Sequence, residues 1–126
     1  MSSIVITGAS GGIGAELARQ LGEQGHQLTL GARRLEELEA VAATIAAPTL
    51  CVRADVTRRA DVEALRDAAL ERFGAIDVWV NNAGRGIATL ALIADVNRCH
   101  LREVAFFGDL APHPKRGKVG EFNQCK

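Results

Sequence analysis

Eight consecutive residues, Thr7-Gly8-Ala9-Ser10-Gly11-Gly12-Ile13-Gly14, follow the apolar run Ile4-Val5-Ile6 and open a segment with helical periodicity. A strand, a glycine-rich turn and a helix start make a place to hold the phosphates of a dinucleotide. Phosphate needs backbone N–H donors and an unobstructed approach. Glycines leave the approach clear, and the first helical turn contributes donors and the positive end of a dipole. The spacing is Gly8, three residues, Gly12, one residue, Gly14, which differs from G-x-G-x-x-G and from the P-loop with its Lys-Ser/Thr pair. A tight turn alone would also explain a glycine cluster, so two further features matter. Arg33, in Gly31-Ala32-Arg33-Arg34, lies 19 residues after Gly14. An acid near this place would accept hydrogen bonds from a ribose 2′-hydroxyl, whereas an Arg accommodates a 2′-phosphate. No acid follows until Glu36. Two arginines beside a helix N-terminus face its positive end, at about 0.3–1 kcal/mol each when unpaired, and a bound phosphate would offset that. Two solvated surface cations are the plain alternative. Val80-Asn81-Asn82-Ala83-Gly84 is the other feature. Small and amide side chains at the end of a strand leave room beside a ligand and can bridge neighbouring loops, although a simple turn would use the same residues.

What is absent limits the chemistry. The chain has no tyrosine, and its only serines are Ser2, Ser3 and Ser10. Cys51, Cys99 and Cys125 include no Cys-x-x-Cys pair, so neither a disulfide framework nor a zinc site is expected. Cys99, His100, His113 and Cys125 read as ordinary side chains, with no metal ligands among them. Formal net charge is zero, which implies no general attraction to nucleic acid or an anionic membrane. The charge is unevenly spread: residues 1–84 carry 8 Arg against 11 Asp and Glu, whereas residues 85–126 carry 7 Lys and Arg against 4. No apolar stretch approaches the roughly 20 residues of a membrane span, and a signal peptide is not expected. The cytoplasm is the expected location.

The elements that must position these residues alternate strictly. Strands are expected at residues 3–7, His26–Ala32, Thr49–Val52 and Ile76–Val80. Between them, Ile13, Leu17 and Leu21 mark one helix face, with Gly25 as its stop. Leu35, Leu38, Val41, Ala42 and Ile45 mark a second helix, ended before Pro48. Val62, Leu65, Ala69 and Phe73 mark a third, with Thr57 as N-cap and Gly74 as its end. Parallel strands joined by right-handed helical crossovers follow from this order. The expected fold is α/β: a Rossmann-like, doubly wound parallel sheet, partial, with four strands in the order 3-2-1-4. Residues 1–86 make one dinucleotide-binding βαβαβαβ unit. Residues 87–126 are expected to hold a helix, from Thr89 to Val96 and extending toward Phe107, followed by an irregular tail broken by Pro112, Pro114, Gly117 and Gly120. Strand four is then an exposed edge, open to self-association, with Leu90, Leu92, Ile93, Phe106 and Phe107 as partial cover.

Taken together, Thr7-Gly8-x-x-x-Gly12-x-Gly14, Asp55-Val56 and Asn81-Asn82-Ala83-Gly84 resemble the motifs of the short-chain dehydrogenase/reductase family, in order and at the right strand ends. The resemblance covers residues 1–84. It implies that Gly8, Ser10, Gly12, Ile13 and Gly14 line the pyrophosphate and ribose, and that Asp55 meets the adenine amino group beside Val56. It places Asn82, Ala83 and Gly84 near the nicotinamide side, while Asn81 ties the central strands together. Arg33, with Arg34, looks like the NADP-preferring pattern; NAD is the less favoured cofactor. The family's reaction uses a Ser, a Tyr and a Lys four residues later, with an upstream Asn. The phenol shares a proton with the substrate oxygen while a cation lowers its pKa. Here three of those four positions are unfilled, and no catalytic residue is assigned. Asp95-Val96-Asn97 faintly resembles the segment around the fourth, and Leu110-Ala111-Pro112-His113 a later stretch. The expected function is the NADP(H)-binding portion of such an oxidoreductase, inactive alone. A non-catalytic dinucleotide-binding or interaction protein is the alternative, and a reading frame shifted after about Gly86 a third possibility.

Overall fold

The computed structural model describes residues 1–83 and the backbone of one further strand at Glu103–Phe106. Its elements run β1 (Ser3–Thr7), α1 (Gly12–Glu23), β2 (Gln27–Ala32), α2 (Leu35–Ala42), β3 (Thr49–Arg53), α3 (Arg59–Phe73), β4 (Val78–Asn81) and β5 (Glu103–Phe106). All pairings are parallel, and the sheet order is β3-β2-β1-β4-β5. The expected 3-2-1-4 order is therefore present, extended by one strand.

Alternation along β1 explains the two-sided winding. Ile4 and Ile6 point to one face, where Leu28 and Leu30 of β2 join Ala15 and Ala18 of α1 and Leu38 and Val41 of α2. Val5 points to the other, against Trp79 of β4 and Val62, Leu65 and Ala69 of α3. Successive strand side chains must occupy opposite faces, so a near-continuous apolar strand can serve two cores at once.

Several local expectations are corrected. The buried stripe of α1 is Gly14, Ala15, Ala18 and Gly22; Leu17 and Leu21 flank the core and Ile13 is 65% exposed. Small residues let this helix lie close to its neighbours: a Cβ on Gly22 would run into Ile45 Cγ2, in the segment after α2. Helix α2 stops at Ala42, short of Ile45: the Thr44 and Ile45 N–H groups bond three residues back, to Val41 and Ala42, both at 3.0 Å, and the Thr44 hydroxyl shares the Val41 carbonyl at 2.7 Å. Thr57 does not cap α3. Its hydroxyl is taken by Asp55, and Arg58 holds the cap position with no side-chain bond to the helix.

The largest correction concerns β4. Its outer edge is occupied by β5, with Val78 opposite Glu103 and Asn81 opposite Phe106, so it is not an exposed edge. Residues 103–106 are strand, and a helix reaching Phe107 does not form there. A short apolar run is ambiguous by periodicity alone, and a free β4 edge selects the extended form through ladder hydrogen bonds. Gly84, the helix expected from Thr89, Asn97, Leu110–His113, Cys99, His100, Cys125, the covering role of Leu90, Leu92, Ile93, Phe106 and Phe107, and the domain boundary at residue 86 lie outside the described residues. No helix among the described residues is long and apolar enough to cross a membrane.

Candidate functional site

The carboxyl ends of β1, β2, β3 and β4 lie along one rim of the sheet, and a cleft of about 300 Å³ opens there. Such crevices form at the carboxyl ends of parallel strands where the winding reverses direction, here between β1 and β4. Gly8 and Ser10 form one wall, Arg33, Arg34 and Glu37 another, and Asp55, Val56, Thr57, Asn82 and Ala83, with Ala32 and Ala54, the remainder. Sequence motifs separated by up to 75 residues are thus brought together.

The glycine turn divides its labour. Gly8 sits at φ +67°, and a Cβ there would lie 2.8 Å from the Ala83 Cα. A Cβ on Gly14 would strike the Asn82 amide nitrogen. These two glycines allow the turn to press against the loop after β4. Gly11 and Gly12 face open space, and Gly12 adopts φ +57°, a left-handed conformation costly for other residues. The clear approach to the helix end comes from this second pair. Gly11 is the N-cap of α1 and supplies no side chain, and no acid occupies the first turn. The amides of Gly12, Ile13 and Gly14 begin the helix without carbonyl partners four residues back, as in any helix start. They lie beside the cleft rather than in its wall.

Other amides are already committed. Gly8 N–H and Ala9 N–H both donate to the Gly31 carbonyl, at 2.8 and 3.4 Å. The turn after β1 is thereby fastened to the end of β2, two residues before Arg33.

Thr7, which sequence reasoning passed over as a site residue, organises the opposite wall. Its buried hydroxyl accepts the N–H groups of Asn82 and Ala83, both at 3.2 Å, and donates to the Val80 carbonyl at 3.4 Å. The Asn82 side chain donates to the Gly8 carbonyl at 3.0 Å. Asn82 therefore bridges β4 to the glycine turn. Asn81 instead accepts the Trp79 indole N–H at 3.0 Å, within its own strand. Its own amide nitrogen is buried without a partner among the described residues. A β1 residue just before the motif glycine was the available signal for Thr7.

Asp55 is held by its neighbours. One carboxylate oxygen accepts both the Thr57 hydroxyl at 2.6 Å and the Thr57 N–H at 2.9 Å. These bonds, with the positive charge of Arg33 and Arg58, hold its carboxyl below the ordinary aspartate range. The anionic form leaves the second oxygen to accept a donor such as an exocyclic amine. The two arginines differ from each other. Arg34 donates to Glu37 at 2.9 Å, so its cost at the α2 N-terminus is relieved within the protein. Arg33 is exposed and has no ion pair within 4 Å among the described residues. Cys51 is a free thiol whose pKa is raised by burial and by Glu39, so it is not a poised nucleophile.

A family model described as short chain dehydrogenase matches residues 2–106. An uncharacterised oxidoreductase of Staphylococcus saprophyticus is 46% identical over 82 residues, which cover 64% of this chain and 33% of that protein. Among solved structures, an alcohol dehydrogenase from the archaeon Thermococcus sibiricus, complexed with 5-hydroxy-NADP, is 42% identical with a TM-score of 0.65. The match spans 68% of this chain and 38% of that one. The 3-ketoacyl-(acyl-carrier-protein) reductase of Brucella melitensis, complexed with NADH, is 29% identical with a TM-score of 0.71, over 75% of this chain and 48% of that one. The chain spans about a third of the length of the curated relatives it matches. Since the match begins before the glycine turn and runs through the strand that flanks β4, this NAD(P)-binding fold belongs to the short-chain dehydrogenase family of oxidoreductases.

Proposed function

We propose that this chain is the NADP(H)-binding portion of an oxidoreductase that moves hydride between the cofactor and an alcohol or carbonyl substrate. The observation that carries the reading is the cleft itself. Gly8 and Ser10 of the glycine turn line it with the uncapped start of α1 beside them, and it is lined as well by Arg33, which has no ion pair among the described residues, a layout that suits a diphosphate and a 2′-phosphate. Gly8, Ser10, Gly12, Ile13 and Gly14 would hold the pyrophosphate and its ribose. Arg33 would meet the 2′-phosphate with Arg34 beside it. Asp55 and Val56 would receive the adenine, and Asn82, Ala83 and Gly84 the nicotinamide side. The bound cofactor supplies the hydride or accepts it. This chain's own residues supply the grip and the orientation. A cytoplasmic setting goes with this reading.

The complete lack of tyrosine favours a second reading for the chain by itself, a dinucleotide-binding protein without turnover. No phenol is present to exchange a proton with a substrate oxygen. Titration of the whole chain with NADPH and NADH, followed by energy transfer from Trp79 to the reduced nicotinamide, tests both. NADPH should bind more tightly than NADH, and Arg33→Ala should erase most of the difference. Equal, weak binding of the two would reject the 2′-phosphate assignment. Reduction of a carbonyl panel by a homogeneous sample would reject the reading without turnover.

A further inference from the structure

Glu37 has no part in the scheme above, yet it lines the same cleft as Arg33 and Arg34. It stands in the first turn of α2, and its Oε1 accepts a hydrogen bond from Arg34 Nη1 at 2.9 Å. The two side chains are 74% and 48% exposed, so water competes with the pair and the bond is weakly held. A carboxylate in such a pair competes directly with any phosphate for the same guanidinium, because both bind it through the same N–H donors. The adjacent cations of the cleft are therefore inequivalent, one with no ion pair among the described residues and one already engaged.

Resting on the cofactor reading above, we propose that Glu37 sets the discrimination between the two nicotinamide dinucleotides. By holding Arg34 it withholds one of two cations from a 2′-phosphate, which narrows the preference for NADPH over NADH. A ligand without that phosphate does not call on Arg34, and is indifferent to the pair. A 2′-phosphate must break it first.

The test compares the whole chain with Glu37→Gln, Arg34→Ala, the double variant and Arg33→Ala, each titrated with NADPH and with NADH. Glutamine keeps the size of the side chain and removes its charge. Far-ultraviolet circular dichroism and the Trp79 emission spectrum establish that each variant is folded. Glu37→Gln should tighten NADPH by up to about fivefold, the most an exposed ion pair usually contributes, and should not tighten NADH. The gain should shrink at high salt and disappear in the Arg34→Ala background. Three results overturn the proposal: no tightening of NADPH, an equal tightening of both dinucleotides, or a gain that persists in full without Arg34. Failure of the underlying cofactor reading looks different, since the unaltered chain would then bind neither dinucleotide. If Arg33→Ala weakens NADPH while Glu37→Gln changes nothing, the cofactor reading stands and the role of Glu37 falls.

Discussion

At the scale of single residues, one hydroxyl shapes the wall facing the glycine turn. Thr7 accepts two consecutive amides of the loop after β4 and donates back to that strand, so replacing it with an isostere strands several groups together. Thr7→Val should cost about 1 kcal/mol or somewhat more, since it leaves two partly buried N–H donors without their acceptor, and Thr7→Ser considerably less. Urea unfolding of the three proteins checks this, and equal stability of the Val and Ser forms would show that the hydroxyl carries no weight. Most of the candidate site residues were readable as motifs because chemistry limits which side chains can occupy them. Thr7 was not, since threonine in a strand is ordinary and only the fold reveals two amides pointing at its oxygen. The Arg34–Glu37 pair was equally hidden, because two arginines in sequence give no sign that one is engaged.

At the scale of elements, the glycine at the end of β2 decides how closely α3 can approach. A Cβ on Gly31 would lie 2.8 Å from a Leu65 methyl carbon, and Leu65 is fully buried. Gly31→Ala should destabilise the fold by about 1–3 kcal/mol through overpacking. Leu65→Ala should cost about 2–5 kcal/mol alone. The double variant should be more stable than the sum of the two losses implies, because the smaller side chain makes room for the added methyl. Additive losses in thermal unfolding would place the strain elsewhere. The strands and helices from β1 to β4 were legible because hydrophobic period and glycine stops agree there. The face of α1 was not. Its leucines recur at helical spacing, but the sheet accepts the neighbouring stripe of glycine and alanine, where backbones can come closer. Strand β5 was illegible for a different reason, since only a neighbour's unpaired edge determines whether so short a run extends.

At the scale of the whole molecule, β5 and β3 are the outermost strands of the sheet among the described residues. An unpaired β4 would offer a row of backbone donors and acceptors to a second copy of the chain, and self-association through it is our expectation only when β5 is displaced. Consecutive residues of a strand direct their N–H groups to opposite sides, so prolines at both Val104 and Ala105 remove at least one bond to β4. The Val104→Pro/Ala105→Pro protein should therefore show a concentration-dependent rise in mass by sedimentation, relative to the unaltered chain. An unchanged mass across concentrations would mean that β4 is guarded by something other than β5. The carbonyl of Gly31, which takes up both Gly8 and Ala9, has a consequence for how a long ligand is held. It works as a rivet between the corner that would meet the adenosine and the corner that would meet the diphosphate. Both grips then move as a single piece, so a ligand spanning them closes on a jaw of preset width.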